Sequence, residues 1–367
     1  MSNLVLNSLE IRGFRGFRRL RIEHLGRINL IVGKNNVGKS SLLEALQLYA
    51  SKGSPRQIWE LLVARDESGP IPSVSLVEPE TVLAALRYLF YGRKEVKTHS
   101  SSIQIGAANA LNDKFLLSVG WYTERLDETG RQTMEPLEPE EYNTVINAVP
   151  RFVIQIGSQP KTHYPLDPYA PRRVLKPELK EIKCVFTPAN GLDRGQISEL
   201  WDGIALTDLE KDVLDALRII APGVERLSLV GDPAQRRIPI VKIKDINQPI
   251  PLRSLGDGMQ RTLGIALALV NAKDGFLLID EFENGLYYTV QPNLWRLIFQ
   301  VARRLNVQVF AATHSWDCIE GFQKAANADK QTEGLLIRLE SIKGEIASTL
   351  FDERQQGIAT REQIEVR

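Results

Sequence analysis

Continuous apolar runs and amphipathic helical patterns take turns along much of the chain. The runs INLIV, GFLLIDEF and VQVFAATHS have the unbroken hydrophobic character of strands that are buried on both faces. Helical patterns follow them, in KSSLLEALQLYA, YYTVQPNLWRLIFQVARRL and SWDCIEGFQKAAN. This alternation predicts a parallel sheet with crossover helices, which binds its ligands at the carboxyl ends of the strands. The expected fold class is therefore α/β, with a sheet core flanked by helices.

The pattern weakens between these segments, which divides the chain into three predicted parts. Residues 1–50 hold β-rich segments and the first strand–helix pair of the core. Residues 51–180 are an α+β insertion, a meander, lid or partner-docking unit, because short strand-like pieces are broken there by Pro, Gly and charges. Residues 181–367 complete the core and end in two strands, GLLIRLES and KGEIASTLF. Within them LTDLEKDVLDALRII predicts a helix whose capping box pairs Thr207 with Glu210.

Charge and cysteine content limit which binding partners and which cellular compartment the sequence predicts. Lys and Arg number 46 against 45 Asp and Glu, so any contact with nucleic acid has to come from a local patch. The candidate patch lies in IRGFRGFRRLRI, where Phe14 and Phe17 accompany Arg12, Arg15, Arg18, Arg19 and Arg21. It binds a DNA or RNA backbone or is simply a solvated strand face. Two distant cysteines and the lack of a signal segment or membrane span predict a cytoplasmic protein.

A phosphate-binding loop is predicted where the run INLIV meets its helix. The segment from Gly33 to Ser40 fits the pattern G-x-x-x-x-G-K-[ST], in which glycines let backbone N–H groups converge on phosphate oxygens. Lys39 is expected to reach the β- and γ-phosphates, and Ser40 to bind Mg²⁺. The predicted nucleotide contacts of this loop are Gly33, Asn35, Asn36, Val37, Gly38, Lys39, Ser40 and Ser41. The expected ligand is a nucleoside triphosphate, and a glycine-rich turn without a ligand is the alternative.

Two further strand ends supply candidate catalytic groups. Asp280 and Glu281 close the run GFLLIDEF, where the first acid completes Mg²⁺ coordination and the second orients or deprotonates the attacking water. His314 closes VQVFAATHS and is expected to hydrogen-bond the γ-phosphate. The alternatives are an acidic solvent-facing turn and a structural histidine.

A glycine-rich helix start precedes the acidic strand. Ser254, Gly256 and Gly258 open the helix in SLGDGMQRTLGIALAL, and the exposed amides of a helix N-terminus form an anion site. Because the first loop already holds one side of the nucleotide, this second site is expected to cover the nucleotide of another subunit in a two-fold dimer. An ordinary glycine-rich helix cap is the alternative.

The order of these motifs resembles that of the ABC-type ATPases of the SMC/RecF/OLD group. Within that group, GKNNVGKSSLLEAL, DEFENGLYYTVQPNLW and ATHSWDCIEGF resemble the compact prokaryotic OLD-like AAA ATPases. The resemblance covers about 1–50 and 181–367. It implies a P-loop NTPase of ABC-ATPase type with a mixed sheet, ATP and Mg²⁺ as cofactors, and contacts of Ser254 and Gly256 with the γ-phosphate in trans. It also implies that Asn284 and Gly285 form a subunit-crossing loop, whereas Tyr287 departs from the histidine that relatives commonly carry.

Several neighbouring classes fit the sequence less well. Arm-bearing SMC proteins need long heptad repeats, which 51–180 lacks. Residues 315–367 have no room for the separate nuclease (Toprim) domain of full-length OLD proteins, so no intrinsic nuclease activity is expected. The guanine-selecting order Asn-Lys-x-Asp is scrambled at 271–274.

Two layers of function remain. The first is an ATPase that dimerises around ATP and acts as a switch or motor in DNA-related processes, anti-phage defence with a separate effector being the main expectation. The second is a nucleotide-gated scaffold that holds a Toprim-like or other nuclease or a toxin, or a DNA-repair ATPase.

Overall fold

The computed structural model describes residues 4–69, 79–93, 96, 101–110, 113–126, 132–138, 141, 145, 147–166, 181–231, 237–329 and 331–351. Its strands are β1 (Leu9–Phe14), β2 (Phe17–Ile22), β3 (Ile28–Val32), β4 (Ser102–Gly106), β5 (Phe115–Leu126), β6 (Gln132–Pro136), β7 (Val149–Ile156), β8 (Thr162–Pro165), β9 (Cys184–Thr187), β10 (Val224–Val230), β11 (Ile238–Ile243), β12 (Ile250–Pro251), β13 (Phe276–Ile279), β14 (Gln308–Ala312), β15 (Gly334–Ile342) and β16 (Glu345–Phe351). Its α-helices are α1 (Lys39–Ala50), α2 (Pro55–Val63), α3 (Pro79–Leu86), α4 (Arg194–Asp202), α5 (Leu209–Ile220), α6 (Asp257–Asn271), α7 (Gln291–Arg304) and α8 (Trp316–Ala328).

A six-stranded sheet, here called the core sheet, carries the predicted phosphate loop. Its order is β16-β15-β3-β14-β13-β9, in which only the pairing of β16 with β15 is antiparallel. Strands β3, β13 and β14 are buried along their whole length because layers cover both faces of the sheet. The predicted fold class, α/β with a mixed sheet flanked by helices, is confirmed.

Two hydrophobic clusters lie on the two sides of the core sheet. Leu30 faces the cluster formed with the helices of the second half of the chain, in which Trp295 of α7 stacks on Phe282 at a centroid distance of 4.1 Å. The neighbouring Ile31 faces the other cluster, which includes α1 to α3. Helix α1 is buried on nearly every side, because a second sheet covers the surface that the core sheet leaves open.

The second sheet is antiparallel and joins the N-terminal strands to the predicted insertion. Its order is β2-β1-β4-β5-β7-β8, with β6 paired to the far part of β5. Strand β4 pairs with β1, with Ile11 opposite Ile105. The strand-like pieces of 51–180 therefore extend the β1–β2 hairpin into one sheet. The three domain boundaries stay predictions.

The segment between the insertion and α6 contains a correction at the start of a helix. Helix α5 begins at Leu209 and has no side-chain cap, so the capping box predicted for Thr207 and Glu210 is wrong. The hydroxyl of Thr207 instead donates to the carbonyl of Ile204, within a turn that precedes the helix. Helix α4 has a true capping box, formed by Asp193 and Gln196. Strands β10, β11 and β12 form a separate antiparallel sheet beside these helices.

The state of the two cysteines and the character of the helices are relevant to the predicted cytoplasmic location. Cys184 and Cys318 are free thiols, and burial raises the pKa of both, that of Cys184 to about 12. None of the helices in the described ranges combines the length and the apolar character that a membrane span requires. The cytoplasmic location stays a prediction.

Candidate functional site: a nucleotide site at the carboxyl edge of the core sheet

The phosphate loop connects β3 to α1 through three residues in unusual backbone conformations. Gly33, Asn36 and Gly38 have φ values of 146°, 64° and 93°. A Cβ at Gly33 would overlap the carbonyl oxygen of Leu339 in β15, so the neighbouring strand enforces glycine there. Gly38 is the N-cap of α1, and this left-handed cap turns the loop into the helix. The helix start predicted near Gly38 is thus observed at Lys39.

The side chain of Lys39 curls over the loop that precedes it. Its Nζ atom donates to the carbonyls of Gly33 at 2.9 Å and Lys34 at 3.2 Å. Of the other predicted contacts, Asn35 and Asn36 are exposed, Val37 and Ser41 are buried, and Ser40 and Gly38 are half-buried. A buried ammonium beside exposed loop residues is suited to an anion that approaches from solvent.

Three strand ends bring the predicted groups to one edge of the core sheet. Strand β14 lies between β3 and β13, so the loops after all three strands leave the same edge. The amide of Thr313 donates to Ile31 at 3.0 Å, and the amide of Phe282 donates to Ala312 at 3.0 Å. His314 therefore stands between the phosphate loop and the acidic loop, an order of the strand ends that the sequence interpretation had not specified.

Asp280 has the surroundings of a metal ligand. Its side chain is buried, and its Oδ1 atom has no hydrogen-bond partner among the described residues. Asp280 and Ser40 line the same cleft of about 1060 Å³, which continues between α1, α2 and α4. A carboxylate and a hydroxyl are oxygen ligands of the kind that Mg²⁺ binds. The two residues fit the predicted Mg²⁺ site.

Glu281, Glu283 and His314 form a close cluster beside Asp280. The Nδ1 atom of His314 lies 2.5 Å from Oε2 of Glu281 and 3.1 Å from Oε1 of Glu283. Glu283 is held in turn by the hydroxyl of Thr313 at 2.7 Å and by the amide of His314 at 3.1 Å. The sequence interpretation had missed Glu283. Its place two residues after Glu281, on the loop that follows the strand, was the available signal.

The glycine-rich helix start lies against the loop that follows the acidic strand. Gly258, in the first turn of α6, would place a Cβ 2.9 Å from the carbonyl oxygen of Gly285. Ser254, Gly256 and Asn284 are exposed, and so is Gly285. These residues share the edge of the core sheet with the phosphate loop, because the loop of Gly285 continues from β13. Their roles in binding nucleotide stay predictions.

Arg261 is a second residue that the sequence interpretation missed. It lies in α6 with its guanidinium buried, and burial lowers its pKa to about 10 although the charges of Asp280, Glu283 and Glu281 partly oppose this. A lone arginine within an apolar helix was the available signal, because a buried charge requires partners.

The structure keeps four of the five arginines of the predicted basic patch exposed and buries its other members. Phe14 and Phe17 are fully buried, and Arg15 is buried between the carboxylates of Glu44 and Glu67. Arg15 is therefore removed from the patch as a correction, because its side chain points into the protein. The four remaining arginines all contact acids: Arg12 and Arg19 bind Glu10, Arg18 binds Glu345, and Arg21 binds Glu23.

Two family models match the chain, one in each half. The model described as "AAA ATPase domain" matches residues 5–149, and that described as "AAA domain, putative AbiEii toxin, Type IV TA system" matches residues 171–317. An "ATP/GTP phosphatase" of Helicobacter pylori is 25% identical over 336 residues, which cover 86% of this chain and 87% of that protein.

Shorter and more distant similarities are also found. A "DNA replication and repair protein RecF" of Thioalkalivibrio sulfidiphilus is 43% identical over 61 residues, 16% of this chain and 17% of that protein. The solved "SMC head domain from Thermotoga maritima" covers 95% of this chain and 99% of its own, at 14% identity and a TM-score of 0.43. Values this low say nothing about activity.

The family models and the long alignment with the phosphatase support the coarser part of the resemblance, an ATPase of the AAA type. None of the matches bears on the OLD-like subgroup, which stays a prediction.

Proposed function

We propose that the protein binds ATP with Mg²⁺ between two copies of itself, hydrolyses it through Glu281, and uses the cycle as a switch. The observation that carries the proposal is the convergence of Lys39, Asp280 and His314 at one edge of the core sheet, on loops that follow three adjacent parallel strands. A phosphate loop, a buried free carboxylate oxygen and a carboxylate–histidine pair are the parts that phosphoryl transfer to water needs.

Each residue has a defined task in this reaction. The loop from Gly33 to Gly38 and the ammonium of Lys39 bind the phosphates. Ser40 and Asp280 hold Mg²⁺, which neutralises charge on the phosphate oxygens. Glu281 orients the attacking water and accepts its proton.

His314 holds the carboxylate of Glu281 through Nδ1. Glu283 and the hydroxyl of Thr313 limit how that imidazole and its loop can turn.

The second copy would complete the site. Ser254, Gly256 and Gly258 offer a helix start to the γ-phosphate bound by the partner, and Asn284 and Gly285 lie beside that helix start. The exposure of Ser254, Gly256, Asn284 and Gly285 supports this arrangement, because a two-fold interface requires the same free surface on both copies.

The biological role we propose is anti-phage defence, in which the nucleotide state controls a separate effector such as a Toprim-like nuclease or a toxin. The toxin–antitoxin wording of the model that matches residues 171–317 supports this role. The similarity to RecF favours a DNA-repair ATPase as the second candidate. Contact with nucleic acid through Arg12, Arg18, Arg19 and Arg21 remains a separate proposal.

The proposed function is tested by comparing two variants, Glu281→Gln, which should block hydrolysis, and Lys39→Ala, which should block ATP binding. We expect Glu281→Gln to bind ATP normally, to lose ATP turnover by about 100-fold or more, and to accumulate as a dimer with ATP and Mg²⁺. Lys39→Ala should lose ATP binding and stay monomeric. The measurements are phosphate release, a fluorescent-ATP titration and molar mass by light scattering.

Glu320→Gln is the matched control, because Glu320 pairs with Lys324 on the surface of α8. It should behave like the wild type. Unchanged turnover in Glu281→Gln would disprove the role of that carboxylate, and a monomeric Glu281→Gln that binds ATP would disprove the dimer.

A further inference from the structure

Arg261 ties helix α6 to the backbone on both sides of Glu281. One guanidinium nitrogen donates to the carbonyl of Asp280 at 2.6 Å and to that of Glu281 at 2.8 Å. The other terminal nitrogen donates to the carbonyl of Pro188 at 2.6 Å, just beyond β9. Among the described residues Arg261 forms no ion pair, and the hydrogen bonds of its guanidinium go to these backbone carbonyls.

The two carbonyls on either side of Glu281 belong to the peptide planes that flank its Cα atom. Fixing both planes fixes φ and ψ of Glu281, and with them the direction of its Cα–Cβ bond. The φ of Glu281 is 46°, a left-handed value that costs a residue with a side chain about 1–2 kcal/mol. Bonds from a charged donor are strong enough to hold such a conformation. The carboxylate that results meets Nδ1 of His314.

Helix α6 has a second contact with the same loop. Gly258 lies one turn before Arg261 and packs so closely on the carbonyl oxygen of Gly285 that a Cβ would approach it to 2.9 Å. A displacement of the first turns of α6 therefore moves the loop 280–285 at two points. The segment from Ser254 to Gly258 leads into this helix, and Ser254, Gly256 and Asp257 are exposed in it.

We infer that Arg261 is a positioning residue. It orients the Glu281 carboxylate for hydrolysis and makes this orientation depend on the position of helix α6. This rests on the proposed function, in which the start of α6 touches the nucleotide of the partner. Docking of the partner's nucleotide on Ser254–Gly258 would fix the position of α6. Through Arg261, that position would determine the orientation of the Glu281 carboxylate. Hydrolysis then requires formation of the dimer, although Arg261 itself does not contact ATP.

Arg261→Lys in the full chain tests the inference. A lysine keeps the charge but cannot bond three carbonyls in a fixed plane. We expect kcat for ATP to fall about 10- to 100-fold, while affinity for a non-hydrolysable ATP analogue stays within about 3-fold. In hydrogen–deuterium exchange without nucleotide, peptides that span 279–286 should exchange faster in the variant. Arg296→Lys, on the exposed face of α7, should leave all three readouts unchanged.

Arg261→Gln is the second variant, and we expect a loss of kcat at least as large. The inference is overturned if kcat stays within 2-fold, or if kcat, analogue affinity and melting temperature fall together in both variants, as a purely structural role requires. A wild-type protein without ATP turnover would end the proposed function, and the exchange rates of 279–286 would still decide whether Arg261 holds the loop.

Discussion

The two large sheets of this protein differ in where their polar and charged side chains lie. The core sheet is covered on both faces and carries all the predicted catalytic groups on loops at one edge. The antiparallel sheet covers α1 with one face, and along β2 buried and exposed positions alternate. Its arginines pair with carboxylates, as Arg12 and Arg19 do with Glu10.

The difference shows how one chain can place its predicted catalytic groups in one sheet and its stabilising ion pairs in another. A strand buried on both faces can place solvent-accessible polar groups only beyond its end, which concentrates them where the strands stop. A strand with one solvated face can carry charges along its length, and these stabilise rather than react. Changes in the antiparallel sheet should therefore affect stability, and changes at the edge of the core sheet should affect nucleotide binding.

The largest effect on stability is expected where the two regions join. Arg15 lies in the turn between β1 and β2 and reaches Glu44 of α1, whose pKa burial raises although Arg15 and Arg65 oppose this. Arg15→Met leaves that buried carboxylate short of a partner and should lower the free energy of unfolding by about 3–5 kcal/mol. Urea denaturation measures it.

Arg18→Met is the control for this change, because Arg18 and Glu345 form an exposed pair that should contribute less than about 1 kcal/mol. Equal losses in the two variants would show that Arg15 does not join the regions as described.

Two glycines allow the next comparison. Gly13 in β1 and Gly33 in the phosphate loop both have positive φ, and a Cβ at either would overlap a backbone carbonyl, of Ser102 and Leu339 respectively. Gly33→Ala should weaken ATP binding about 100-fold, because the loop must move by about 1 Å. Gly13→Ala should lower the free energy of unfolding by about 2 kcal/mol and leave the ATP affinity of the folded protein within 3-fold.

Calorimetric titration with ATP and urea denaturation of both variants separate the two effects. If Gly13→Ala weakened ATP binding as much as Gly33→Ala, the division between a reacting edge and a supporting sheet would fail.

A smaller, pH-dependent effect is expected at Glu10. Burial raises the pKa of this carboxyl, but hydrogen bonds from Lys114, Arg12 and Arg19 outweigh it and bring the pKa from 4.5 to about 2. A depressed folded pKa stabilises the protein above the unfolded value of 4.5, and this contribution disappears as pH falls towards 2. Glu10→Gln should cost about 2 kcal/mol near neutral pH.

The measurement is urea denaturation of both proteins from pH 7 to pH 2.5. The difference between wild type and Glu10→Gln should be constant down to about pH 5 and shrink below it. A difference that grows in acid would contradict the assigned direction of the pKa shift.

Sequence alone was informative where a pattern has one physical meaning. The run from Ile28 to Val32 and the glycines after it left little choice but a buried strand and a phosphate loop, and β3, β13 and β14 appear where they were predicted. The groups at strand ends follow from the parallel arrangement, since adjacent strands bring their ends together.

The failures occurred where tertiary partners decide. Thr207 and Glu210 have capping-box spacing, but a turn closed through Ile204 claims the threonine hydroxyl. The Phe14–Arg15 segment has the composition of a nucleic-acid surface, yet pairing with distant Glu44 and Glu67 turns it inward. Arg261 is recognised only when the carbonyls that bind it are seen.

The position of β3 has a consequence for synthesis of the protein. This strand lies between β14 and β15, which are made some 280 to 310 residues later. On the ribosome the segment that becomes the phosphate loop has no flanking strand until some 280 further residues have been made. We therefore expect that a nascent chain that ends before β14 does not bind ATP.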